Sequence, residues 1–412
     1  MFSLESFNKI LYKNLLLPLN IHYFHFENFG STHPSDLAII GESPLTHSHN
    51  PLTFAIISDQ EPFSDSHITD IFTANPSTLQ NDWAYTLSVH YTNFDDISLK
   101  IYANSEHSIE KTNSLEYWKF LDWYYFYHGF AALDWYRNVE YLPPVKSFTK
   151  VFISFNNLMS ENRSYRLNLI AQLIDKKLDQ HGYISLNQND TEQKIKNELF
   201  SSSSRLSVAA KKLILKTLLP TTPKLTIDTE DHRVQNPVDQ VGSLSAYDNI
   251  ETLGSGLFHL VTETVFYDKK LHLTEKIFKP IIARRPFFLI AAPHNLAYFK
   301  TYGFKTFDKW IDESYDIEED NDKRIALIVA EVDRLCQLSS DELDIMYQEM
   351  QEILEYNFHW FYNGFKQIIV NELVDNFKHC IDQHNFSFTQ NSRQHIDYTN
   401  VNFGKIKKLL SQ

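Results

Sequence analysis

Val261-Thr262-Glu263-Thr264 and, beyond it, Leu273-Thr274-Glu275-Lys276-Ile277-Phe278-Lys279-Pro280 decide how this chain is read. Together they read as a buried strand, a turn carrying a carboxylate, and a helix opened by Thr, Glu and Lys. Thr274 or a neighbour can cap that helix. Glu275 falls in its first turn, where an acidic side chain suits the helix dipole. A helix start aimed at a cleft offers backbone N–H groups to an anion, and Lys276 adds a positive charge. Glu263 could hold the paired hydroxyls of a ribose, as acidic residues do in other nucleotide sites. These residue types suit a nucleoside diphosphate joined to a sugar. Taken alone they also describe an ordinary capped helix, so the surrounding pattern has to decide.

Strands alternate with helices on both sides of this stretch. Residues 151–155 and 183–186 read as strands with a helix over 165–178 between them, and polar helical sequence fills 189–217. Residues 256–262 and 286–292 are strands, 274–283 and 296–302 helices. Such alternation predicts a parallel sheet covered on both faces, with ligands beyond the carboxyl ends of its strands, where Glu263 falls. Upstream, residues 20–27, 52–58, 84–91 and 97–103 have strand character. The aromatic stretch between Trp118 and Tyr136 reads as core, with a sugar platform as its alternative. Pro143-Pro144 punctuates the chain. The expected organisation is α/β, with one domain over 1–148, a second over 149–345 and a helical extension over 346–412, its last thirty residues weakly patterned.

A second constellation lies in Phe152-Ile153-Ser154-Phe155-Asn156-Asn157 followed by Arg163 and Arg166. A strand ends in polar residues, and two arginines three apart lie one turn apart at a helix start. Arginine grips pyrophosphate with a planar fork that lysine lacks. A pairing of either arginine with Glu161 or Asp175 is the plainer alternative.

The order strand, Ser-x-Asn, Arg-x-x-Arg, helix, then Glu and Thr-Glu-Lys before another helix, resembles the donor-binding half of the α1,3-fucosyltransferases, glycosyltransferase family 10. The stretches 128–137, 162–166 and 303–316 are also similar to uncharacterised viral and bacterial glycosyltransferase-like proteins. The resemblance covers residues 120–320. It implies a GT-B-like fold, two Rossmann-like domains with a cleft between them and C-terminal helices, acting on a nucleotide-diphosphate sugar such as GDP-fucose. It places Glu263 and Glu275 near nucleoside or sugar hydroxyls, Lys276 and one of Arg163 or Arg166 on phosphate, and Asn156 and Thr274 in the same donor site. Thr264 stands where Asn is usual in that family, and the Glu263–Glu275 spacing is longer. The sugar and base therefore stay open.

Asp59-Gln60-Glu61-Pro62 follows the apolar run 52–58, so either carboxylate could take the proton of an acceptor hydroxyl in an inverting transfer. A turn with solvated charges is the alternative. Lys, Arg and helix starts can offset the charge on a departing diphosphate, so no metal or other cofactor is expected. The acidic run within 307–322 reads as a solvated helix start rather than a metal site, and 228–231, which could mimic an Asp-x-Asp metal motif, lies outside a clear strand end. Gly254-Ser255-Gly256 is either a cleft loop or a plain turn. No P-loop, GxGxxG or GxSxG is present, which argues against P-loop kinases, dehydrogenases and serine hydrolases.

The net charge of −14 disfavours nucleic acid as a partner. Two cysteines, Cys336 and Cys380, are too few for a disulfide framework and suit a reducing compartment. No run approaches the roughly 20 apolar residues that span a bilayer. The expectation is a soluble cytoplasmic chain, virus-encoded if the second resemblance holds, whose partners are a nucleotide sugar and a glycan acceptor. Two other readings stand beside it: a phage-type transferase acting on modified DNA bases, and a non-catalytic nucleotide- or glycan-binding protein.

Overall fold

The computed structural model describes residues 3–19, 21–26, 37–39, 53–58, 99–104, 107–108, 120–145, 147–156, 158–186, 191–221, 250–387 and 396–412. The protein is α/β and divides into two compact units, Met1–Asp134 with Lys366–Gln412, and Trp135–Phe365. The expected break at 148/149 thus falls inside the second unit. The expected extension 346–412 is shared, with the helix Ser340–Asn363 in the second unit and nearly all of the helix Phe365–Ser387 in the first.

The first unit holds a sheet of β1 (Ile21–Phe26), β2 (Leu37–Ile39), β3 (Thr53–Ser58), β4 (Leu99–Asn104) and β5 (Phe120–Tyr124), in the order β2-β1-β3-β4-β5. Only β2 runs antiparallel to its neighbour; the other pairs are parallel. The strand expected over 84–91 lies outside the described residues. The aromatic stretch becomes β5 and the helix Tyr127–Trp135. Trp123, Phe126 and Phe130 are buried, so core packing accounts for these rings and the sugar-platform alternative is set aside. Trp123 meets Phe377 edge-on at 4.7 Å and donates its indole N–H to the Leu373 carbonyl at 2.9 Å. Asn376 donates to the Tyr124 carbonyl and Glu372 accepts from the Phe126 N–H, so the helix Phe365–Ser387 caps the end of β5. The helix Phe403–Ser411, capped by Asn402, packs on the N-terminal helix Leu4–Leu11, and its Ile406 and Leu410 are buried.

The second unit is built on β6 (Lys150–Ser154), β7 (Gly182–Ile184), β8 (Gly256–Thr262) and β9 (Phe287–Ile290), all parallel, in the order β9-β8-β6-β7. Every residue of β8 is buried. Successive strand side chains point to opposite faces, so a fully buried strand requires cover on both, which explains why His259 and Thr262 are its only polar side chains. His259 survives in that strand as a neutral ring: burial pushes its pKa down to about 3. Its Nε2 lies 2.7 Å from the Leu253 carbonyl, an acceptor that requires the proton on that nitrogen. Gly256 is needed where β8 meets β6, because a Cβ there would sit 2.8 Å from the Ile153 nitrogen. Below the sheet, Phe278, Phe287, Phe299, Phe304, Phe361 and Phe365 form an aromatic core, with Phe299 stacked on Phe304 at 4.4 Å. Among the described residues no helix is long and apolar enough to cross a membrane.

Candidate functional site

The chain leaves β6 outward to β7, then returns to the other side of β6 to form β8 and β9. The connections therefore reverse direction between β6 and β8, and the crevice beyond their carboxyl ends is where open parallel sheets bind ligands. Asn156 follows β6 and Glu263 follows β8, so both expected residues flank that point.

Glu263 is fully buried, and its carboxylate is turned toward the segment that follows. One oxygen accepts from the Thr274 N–H at 3.2 Å, and the other from the Thr274 hydroxyl at 2.6 Å and the Thr264 N–H at 3.3 Å. Burial pushes its pKa up, against the lowering effect of Lys276 and of the Thr274 hydrogen bonds. Thr274 is the N-cap of the 3-10 turn Glu275–Ile277, with the extended backbone a cap requires. Its hydroxyl donates to Glu263 and accepts from the Lys276 N–H at 3.4 Å and the Lys276 Nζ at 3.2 Å, which fills its bonding capacity. Lys276 Nζ also meets the buried Glu275 carboxylate at 3.1 Å while a quarter of the lysine side chain stays exposed. The chain Glu263–Thr274–Lys276–Glu275 thus fixes one ammonium group with a donor to spare, since three N–H bonds leave it and these contacts use two. The α-helix proper starts at Phe278. Pro280 falls in its first turn, where a missing N–H costs nothing.

On the β6 side, Asn156 is buried and spends its side chain on Ser154 and on the Thr262 hydroxyl, which donates to its Oδ1 at 3.2 Å. It stitches the ends of β6 and β8 together. Arg166, expected on phosphate, is also buried. Its Nη1 donates to the Leu158 carbonyl at 2.9 Å, and its Nη2 to the carbonyls of Thr262 at 2.8 Å and Glu263 at 3.2 Å. The guanidinium therefore buckles the two loops at the sheet end and is turned inward. Arg163 ends the 3-10 turn Glu161–Arg163 and is only half-buried, with a charge that reaches the Tyr165 hydroxyl. Of the two arginines, Arg163 is the less buried.

Three residues at this end were not singled out in the sequence. Tyr165 donates its hydroxyl to the Glu263 carbonyl at 2.5 Å and stacks on Phe266 at 4.1 Å, fixing the turn after β8. Burial raises its pKa. Tyr267 meets Tyr165 edge-on and shares a hydrogen bond with Ser164 at 2.9 Å. Glu198, also buried, accepts from the Glu161 N–H at 2.9 Å and so holds that residue at a φ of +52°, which a non-glycine residue rarely adopts. A lone tyrosine or glutamate in a helical stretch carries no sequence signal of such a contact.

Asp59 and Glu61 lie outside the described residues, as does 228–231; β3 ends at Ser58, the residue before Asp59. Gly254 and Gly256 lie at the amino end of β8, opposite Glu263. The Gly254 carbonyl there accepts from the buried Arg285 at 2.7 Å, so the cleft-loop reading of this stretch gives way to the turn. In 307–322, Asp316 accepts from the Leu296 and Ala297 N–H groups and caps the helix Asn295–Thr301, while Glu313 holds the Phe307 N–H and the Thr306 hydroxyl. Among the described residues no group of three His, Cys, Asp or Glu is arranged to hold a metal. Compared with protein-family models, with curated proteins and with solved structures, the chain matches none.

Proposed function

We propose that the crevice beyond β6 and β8 holds the diphosphate of a nucleotide sugar and that the protein is a glycosyltransferase of GT-B type. One observation carries this reading. At the reversal point of a parallel sheet, a buried carboxylate and a capping threonine hold Lys276 with an N–H to spare. A fixed ammonium with a donor left over suits a phosphate oxygen, and Arg163, on the turn after β6, is the proposed second cation for the linked phosphate. Glu263, Asn156 and Arg166 position this site, their polar atoms being turned to protein groups; Thr274 orients the lysine, and Glu275 is the carboxylate assigned to a sugar hydroxyl.

In an inverting transfer the acceptor oxygen attacks the anomeric carbon as the bond from that carbon to the phosphate oxygen breaks. The diphosphate leaves with the electron pair, and Lys276 and Arg163 offset its growing charge. The hydroxyl proton passes to a carboxylate base, for which Asp59 and Glu61 are the candidates. GDP-fucose remains the donor suggested by the family resemblance, and a glycan or other hydroxyl compound the acceptor.

A thermal-shift screen against GDP-, UDP-, CMP- and dTDP-sugars tests the reading, because a ligand of the native state raises its stability with occupancy. The expected result is a rise in Tm with at least one nucleotide-diphosphate sugar, diminished about ten-fold in affinity by Lys276→Ala in a protein that still folds. Binding that ignores Lys276→Ala contradicts the phosphate role. Binding without any sugar transfer or hydrolysis, unaltered by Glu61→Ala and Asp59→Ala, would favour a non-catalytic binder.

A further inference from the structure

Beside the diphosphate crevice the loops carry a second built feature. Arg205 lies over the ring of Tyr267, its guanidinium carbon 4.7 Å from the ring centroid. Its Nη1 is clamped by Asp268 at 2.8 Å and by the Asn162 side-chain oxygen at 3.1 Å. Tyr267 is fixed in turn. Its hydroxyl is hydrogen-bonded to Ser164, the residue after Arg163, and Phe266 and Tyr165 meet its ring edge-on at 5.4 and 6.2 Å. Three segments, 162–164, 205 and 267–268, thus converge to hold one guanidinium plane in one orientation. The arginine nevertheless keeps 36% of its side chain exposed.

A solvated arginine ordinarily samples many rotamers, and the entropy of holding one is a cost. An arginine sandwiched on an aromatic ring, oriented by two oxygens and still exposed presents a flat, preorganised cationic surface. Planar heteroaromatic rings stack on such surfaces. Tyr165 links this plane to the crevice: it touches Tyr267 on one side and donates to the Glu263 carbonyl on the other.

Resting on the diphosphate reading above, we propose that the Arg205–Tyr267 stack is the subsite for the heteroaromatic base of the nucleotide, which lies on the guanidinium plane while the diphosphate extends toward Lys276. The plane is what binds, so charge alone does not replace it. A purine, with its larger ring, gains more from the stack than a pyrimidine.

The test is a set of calorimetric titrations of the full chain with GDP, UDP and inorganic pyrophosphate, comparing wild type with Arg205→Lys and Arg205→Ala. Lysine keeps the charge and the partner Asp268 but not the plane. The expected result is a loss of about ten-fold in GDP affinity in both variants, a smaller loss for UDP, and unchanged pyrophosphate binding. Three outcomes overturn the proposal. One is an Arg205→Lys protein that binds GDP as wild type does, which makes the contact one of charge. The second is a loss of pyrophosphate affinity equal to that for GDP in both variants, which puts Arg205 on phosphate. The third is a lowered Tm with GDP affinity intact, which makes Arg205 a tie between loops. Each of these leaves the diphosphate reading standing if Lys276→Ala still weakens pyrophosphate. A wild-type protein that binds neither GDP, UDP nor pyrophosphate removes both.

Discussion

Glu263 bears the strongest conflict between its chemistry and its surroundings. A carboxylate taken fully out of water is costly, and three donors offset only part of that cost. Burial accordingly raises its pKa above the ordinary 4.5. The folded chain then holds the proton more tightly than the unfolded one. That advantage is complete below the unfolded value and is lost as pH rises through the folded one. Glutamine carries no such penalty. The stability of Glu263→Gln relative to wild type should therefore improve between about pH 4 and pH 7, as read from urea unfolding at the two pH values. A difference that stays constant, or that moves toward wild type as pH rises, would show that the hydrogen bonds from Thr274 and Thr264 outweigh the burial. The same side chain was readable in the sequence as a carboxylate at a strand end. Its orientation was not, because whether it faces a ligand or Thr274 depends on a residue eleven positions away.

Strand β8 shows why some elements are legible and others are not. Its bounds, Gly256–Thr262, agree with the sequence reading because a short apolar run, interrupted only by His259 and ended by a polar residue, has little other use. Gly256 marks the close approach to β6, and the backbone atom it would strike cannot move away as a flexible side chain would. Gly256→Ala should cost about 1–3 kcal/mol of stability by denaturant unfolding, and a loss near zero would mean that β6 and β8 can separate without penalty. The helix expected over 274–283 is instead a 3-10 turn followed by a short α-helix, a division that follows from Thr274 capping early and Pro280 needing the first turn. Phe403–Ser411 was hidden for the opposite reason: nine residues with two buried apolar positions look like solvated sequence until Leu4–Leu11 is beside them. The arginines teach the same lesson, since spacing placed Arg163 and Arg166 on one helix start but only packing shows Arg166 turned to three carbonyls.

Each of the two units contains its own largely parallel sheet, and the polypeptide visits the first, builds the second and returns to the first at Lys366. The alternation of strands and helices made that class legible. The unit break did not follow the Pro143-Pro144 punctuation, because the helix Tyr127–Trp135 already ends the first unit. Within the second unit the strand order sets the reversal point between β6 and β8, and the proposed diphosphate is placed there because Lys276 holds an ammonium group beside it. The most direct test is a crystal structure of the full chain bound to a nucleoside diphosphate. Phosphate oxygens are expected at hydrogen-bond distance, about 3 Å, from Lys276 Nζ beyond the carboxyl ends of β6 and β8. A nucleotide bound elsewhere, with Lys276 still engaged only by Thr274 and Glu275, would contradict the diphosphate reading.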